Sequence, residues 1–430
     1  MRTLAPPNAR DRFEVYRFFN GLSYEAKEGL DQRRTRVPMV KTFLLEHVAS
    51  RGNGRPKPPA HIFQNLDAEV QMIDDRFMGL IFEVSDPDTG TISRATTGFL
   101  EQYDERFFAY YTCEDSTPAR KRVAKWVQAP DLDHTWFSSP LLQVLWAEDV
   151  SKRGDDRFGK LVFQHESIFD MPEDFSSPEE TSEETSPEEA EEVTDDEEET
   201  YDDRPEVKRR KARFEMSDRI GRMKSALPNL QPNYEPFYVP TMLRFPSRMC
   251  RGDHDLYQAG QMTNRTDSFE DHRNTVRYLY RIYKAILDFT EKSAWNEISS
   301  TRDLRVGLKG VPLVVKFSAP LSEATFNRWV EKAFQKRGPF KLWGDPIRLG
   351  PTKVHVYGAD RHLWQPINLE LTAKGVVAIL PQGTCGNTFH RLVTNIQRYV
   401  CPKIDAWVGE ESFENVVRKW PANAEEPNED

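Results

Sequence analysis

Seventeen of the 31 residues from Glu173 to Asp203 are Asp or Glu, and none is Lys or Arg. Like charges at that density repel one another. The stretch also holds too few apolar side chains to offset the entropy of ordering its backbone. A disordered, extended segment is predicted. RPEVKRRKAR follows at once, from Arg204 to Arg213, with six basic residues against one Glu. A chain interrupted in this way is predicted to build separate cores on either side. The expected partition is a first block over residues 1–170, a linker over 171–213, a second block over 214–420 and an acidic tail over 421–430.

Formal net charge is −10, but the distribution matters more than the sum. Residues 1–172 contribute −3, residues 173–203 −17, residues 204–420 +14 and the tail −4. A basic second block is hidden under an acidic average, and such asymmetry bears on partners rather than on fold. The four cysteines, Cys113, Cys250, Cys385 and Cys401, form no CxxC pair. A disulfide framework and a zinc knuckle are therefore not expected, and no cofactor is. The N-terminus, MRTLAPPNARDRF, lacks the apolar centre of a signal peptide. No run approaches the roughly 20 apolar residues that span a bilayer. A protein of the cytoplasm is expected, or of the nucleus if the host has one.

Periodicity fills in the blocks. In the first, a helix capped by Asn8 is predicted to run to about Asn20 and stop at Gly21. A second is predicted from Ser23, and a third from Pro38 to His47. Strands are predicted at Phe77–Ser85, Thr91–Thr97, Arg106–Cys113, Lys121–Gln128, Leu141–Trp146 and Lys160–Gln164. In the second block, Ser268 opens a long amphipathic helix. The later order is strand, helix, four strands, helix. The fold class expected is α+β: an N-terminal helical entry with an antiparallel β-rich domain, then a C-terminal two-layer sandwich with both helices on one face.

Several residue groups are candidate sites. Arg273, Arg277, Arg281 and Lys284 share one helix face, and Lys208, Arg209, Arg210 and Lys211 form a basic cluster. Either group would suit phosphates, or simply face solvent. Gly383, Thr384, Gly386 and Asn387 precede a helix, where exposed amides can hold an anion and Asn387 would serve as N-cap. The same field would activate Cys385, with His390 as a nearby base. A plain structural turn is the alternative. Cys250, His254, His272, Asp253, Asp255 and Asp271 fit no structural zinc spacing. His355, Asp360 and His362 read as surface groups near a turn.

The function expected is a non-enzymatic binding or regulatory protein. Its basic second block would engage nucleic acid or an acidic protein, modulated by the acidic segment. A protein–protein adaptor controlled by linker processing is one alternative, and a cysteine-dependent enzyme at Cys385 is another.

Overall fold

The computed structural model describes residues 9–32, 37–47, 62–63, 66, 68–85, 92–129, 131–148, 150, 154–166, 211–247, 249–300, 306–334, 338–362 and 364–423. The acidic stretch and Lys208, Arg209 and Arg210 lie outside these residues. The fold class is α+β, with helices packed on large antiparallel sheets.

Helix α1 spans Arg12–Asp31 and is capped by Asp11, whose carboxylate accepts from the Glu14 amide. It runs through Gly21 without a break, because Val15, Phe19, Leu22 and Ala26 keep one face buried across that position. Packing of the whole stripe outweighs the weak helix propensity of one glycine. The predicted third helix is a strand instead, β1 (Lys41–His47), buried at all seven positions. Its Leu44 enters one core, while Phe43 and Leu45 enter a second on the opposite side. A segment covered on both faces has no polar alternation for a sequence to display.

The other front strands are β2 (Glu69–Met72), β3 (Phe77–Ser85), β4 (Ile92–Gln102), β5 (Phe107–Thr112), β6 (Leu132–His134) and β7 (Phe158–Glu166). Two predicted strands are helices: α2 (Ser116–Trp126) and α3 (Ser139–Glu148). Short apolar runs do not distinguish the two states by pattern alone. After the acidic stretch come β8 (Lys211–Arg219), α4 (Ile220–Leu230), β9 (Pro240–Pro246), β10 (Asp253–Tyr257), β11 (Gln261–Asn264) and the long helix α5 (Phe269–Ser293).

These strands correct the expected partition. β7 pairs antiparallel with β8 from Phe158↔Arg219 to Glu166↔Lys211. β1 pairs with β5 on one side and β11 on the other, and the large sheet runs β2-β3-β4-β5-β1-β11-β10-β9-β7-β8. Strands from both sides of the acidic stretch thus share one sheet. In sequence the stretch lies between the paired strands β7 and β8, and composition marks where charge changes, not where a core ends.

The rest of the chain follows the predicted order closely. β12 (Asn296–Ser300) and β13 (Val306–Gly310) pair with each other. Then come β14 (Leu313–Phe317), α6 (Glu323–Ala333), β15 (Leu342–Gly350), β16 (Lys353–Asp360), β17 (Gln365–Thr372), β18 (Gly375–Ile379) and α7 (Asn387–Tyr399). β19 (Ile404–Val408), β20 (Glu411–Ser412) and α8 (Phe413–Asn423) complete it. The second sheet runs β15-β16-β17-β18-β14-β19-β20. Its Leu313, Val315, Val354, Val356, Ile367, Leu369, Val376 and Ala378 share one core with Phe326 and Trp329 of α6 and Phe389 and Val393 of α7. That core also takes in α1, α5 and Leu44 of β1, so the two sheets are not separate bodies of apolar packing.

Candidate functional site

The basic stripe of α5 faces the first sheet. Arg273 and Arg277 both bind Glu101 of β4, with Arg277 Nη2 2.8 Å from Oε1 and Arg273 Nε 2.8 Å from Oε2. Glu101 is 3% exposed. Burial alone would raise its carboxyl, but the two arginines outweigh this and hold it below the usual range. Lys284 Nζ lies 3.4 Å from Asp104. Arg281 is exposed. The stripe is thus largely an internal docking device, not a phosphate track. Arg273→Ala is expected to cost about 1–3 kcal/mol, because it removes bonds to a buried carboxylate. Chemical denaturation measures this. A variant of undiminished stability would return Arg273 to the surface reading.

The Gly383–Asn387 turn does hold an anion, but one supplied by the chain. The Gly386 amide donates to Glu291 Oε1 of α5 (2.8 Å), and the Cys385 amide donates to Gln365 Oε1 (2.8 Å). Gly383 has φ +89°, a left-handed conformation that favours glycine. A Cβ on Gly386 would stand 2.9 Å from Glu291 Cγ and 3.1 Å from the Leu287 carbonyl, so glycine is what lets the turn seat on α5. Thr384 Oγ1 donates to the Pro381 carbonyl (2.6 Å). Asn387 is not the N-cap. It is the first residue of α7, fully buried, donating to the His134 carbonyl (2.9 Å) and accepting from the Tyr283 hydroxyl.

Around this turn the two sheets and α5 enclose a polar junction. Arg106 Nη2 reaches Glu46 Oε1 (2.5 Å), Glu291 Oε1 (2.7 Å) and Cys385 Sγ (3.2 Å). The Cys385 thiol donates to Glu46 Oε1 at 3.2 Å. Beside it, the fully buried Arg391 guanidinium bridges Asp133 of β6 and Asp360 of β16. Lys341 Nζ donates to Asp133 (2.8 Å) and to the Val127 carbonyl (2.6 Å), and the Thr388 hydroxyl donates to Asp360. Burial works against the Asp133 carboxylate, yet Lys341 and Arg391 hold its pKa far below the usual range.

This geometry corrects the nucleophile reading. Burial, and then the charge of Glu46, push the Cys385 thiol well above its ordinary value. The turn amides that were to activate it are occupied. No bond joins it to His390, whose ring packs near Tyr283, Phe389 and Phe413 at centroid distances of 5.1, 5.6 and 5.4 Å. Neither His390 nitrogen has a hydrogen-bond partner among the described residues, and burial pushes its pKa down to about 3. The unfolded chain takes up that proton near pH 6.5, while the folded chain refuses it until about pH 3. Stability is therefore present above pH 6.5 and lost as pH falls, at about 1.4 kcal/mol per pH unit for such a group. His390→Leu is expected to preserve or raise stability at pH 7 and to lessen this slope. Urea midpoints at pH 7 and pH 5 decide it. A variant weaker at pH 7 with the slope intact contradicts the assignment.

Asp360 and His362, read from sequence as surface groups, are 1% and 2% exposed. His355 does lie near the surface, bound to Glu370 at 2.9 Å. The histidines and Asp271 near Cys250 do meet, as a buried chain. Thr42 Oγ1 contacts His272 (2.8 Å), His272 contacts His254 (3.1 Å), His254 contacts Asp271 (2.9 Å), and Ser247 donates to Asp271 (2.8 Å). Glu46, Arg106, Asp133 and Arg391 were not singled out from sequence. No local motif marks them, since they meet only through strand pairing and the α7 position.

The opposite face of the second sheet contrasts with this interior. Trp343, Asp345 and Ile347 of β15 lie across from Ala359, Tyr357 and His355 of β16, so all six share one face. The register carries that face through Asn368 and Glu370 to Val377, Ile379, Val314 and Trp407. Trp343 is 59% exposed and Tyr357 60%. Lys353 and Glu370 pair at 2.9 Å, and Lys316 lies over the Trp407 ring.

The sequence model of a family described as MJECL33-like protein matches residues 11–217 and 252–414. The chain belongs to this family. A relative in Methanocaldococcus jannaschii, named "Uncharacterized protein MJECL33", is 29% identical over 144 residues, 34% of each chain. The matched segment thus spans about a third of that relative's length. No solved structure matches. The family segments flank residues 218–251 and include both the polar junction and every strand of the second sheet.

Proposed function

We propose that this chain is a binding protein that docks a protein partner on the open face of its second sheet. The observation that carries the reading is the exposure of Trp343 and Tyr357 on one sheet face with Ile347. Large aromatics are costly to leave in water and dominate binding energy where they are buried by a partner. Val314, Val377, Ile379 and Trp407 extend the face as half-buried apolar groups.

Charge favours protein over nucleic acid. Lys316 and Lys353 on this face are matched by Asp345, Glu370 and Asp405, so it offers no net positive field to a phosphate backbone. Of the α5 candidates, Arg273 and Arg277 are engaged with Glu101 and Lys284 with Asp104. Pro346 sits within edge strand β15, where it cannot donate to an added strand, so the face rather than the edge is the docking element. Among the described residues no helix is long and apolar enough to cross a membrane.

The reading is tested by purifying the full chain from its native cells, with and without nuclease, beside Trp343→Ala/Tyr357→Ala. A partner that survives nuclease and falls at least tenfold with the double variant is expected. Loss of the partner on nuclease treatment, with salt-sensitive binding to single-stranded RNA or DNA, transfers the face to nucleic acid instead.

A further inference from the structure

We infer that Glu46, His362 and Cys385 form a binding site for one borderline-soft divalent cation of the zinc type. Three separate elements supply the ligands: β1, the β16–β17 connection and the turn before α7. A Glu46 oxygen, a His362 ring nitrogen and Cys385 Sγ all lie within 4.8 Å of one another. The Sγ–Oε1 pair is already at 3.2 Å. A tetrahedral centre with bonds of about 2.0–2.3 Å holds its ligand atoms about 3.3–3.7 Å apart, so a side-chain shift of roughly 1 Å completes the geometry.

Unsatisfied polarity points to a missing ligand. All three side chains are at least 98% buried. Neither His362 nitrogen, nor Glu46 Oε2, has a hydrogen-bond partner among the described residues. Unpartnered polar atoms on two neighbouring side chains in a dry interior are costly unless a ligand takes them up. The donor set is one thiolate, one imidazole and one carboxylate, which suits zinc better than magnesium or calcium.

Charge agrees. With the thiol deprotonated, Glu46, Glu291 and Cys385 contribute three negative charges and Arg106 one positive. The remaining two match a dication. Metal entry forms the metal–sulfur bond and releases the thiol proton, together with the Glu46 proton where it is held. Arg106 and the Gly386 amide, both bound to Glu291, form the supporting layer. Three protein ligands leave a fourth position open. The site is independent of the sheet face proposed for docking.

The test uses the full chain, stripped with chelator and titrated with Co2+ and then Zn2+. One equivalent of Co2+ is expected to give a thiolate-to-cobalt charge-transfer band that Zn2+ abolishes, with release of one or two protons. Cys385→Ser should lose the band, His362→Gln should weaken affinity at least tenfold, and Cys250→Ser should leave both unchanged. Absence of the band in the wild-type chain overturns the inference whatever the variants do. A band that persists in Cys385→Ser, or disappears in Cys250→Ser, also overturns it.

Discussion

Arg391→Ala is expected to lower stability by about 3–5 kcal/mol, enough to unfold many domains of ordinary stability. The guanidinium is fully buried and bridges Asp133 and Asp360, which are themselves 0% and 1% exposed. Removing it leaves two carboxylates in the interior with only Lys341 among the cations bonded to them. Lysine at 391 should recover part of the loss at most, since a single ammonium cannot reproduce the paired fork. Asp360→Asn in the Ala background should restore part of it, by removing one of the stranded charges. Denaturant midpoints of the wild type, Arg391→Ala, Asp360→Asn and the double variant measure the coupling. Additive losses would show that Arg391 and Asp360 do not act as a unit.

The second large effect concerns how the chain is divided. Produced alone, residues 204–430 are expected not to fold, because β8 loses β7, β11 loses β1, and α5 loses the Glu101 anchor. Produced together with residues 1–172, the same fragment is expected to form one particle at the mass of the pair. Replacing residues 173–203 by a short Gly/Ser linker should leave the melting temperature within a few degrees of the intact chain. Two independently stable fragments would contradict the shared sheet.

That result bears on what the sequence could disclose. The alternation in Val311–Phe317, Lys353–Tyr357, Ile367–Thr372 and Val376–Leu380 is legible because one face of the second sheet is open and the other packs on α6 and α7. β1 is not legible, since both its faces are covered and its seven residues carry no alternating signal. Charge was the most visible feature and misplaced the domain boundary, because a carboxylate run reports solvation and not strand pairing. From sequence, the Gly383–Asn387 turn is legible only as a place where free amides could meet an external anion, or as a plain structural turn. Its anion, Glu291, lies 95 residues from Gly386, and no spacing rule reaches that far. The partners of Cys385 illustrate the same limit: His390, near in sequence, makes no bond to it, while Glu46, 339 residues away, does.

A photo-crosslinking residue in place of Tyr357 probes the docking face itself. In irradiated native cells, one discrete nuclease-resistant protein adduct is expected at position 357 and none when the residue replaces buried Val356. An adduct that nuclease removes, or equal labelling at both positions, would contradict it.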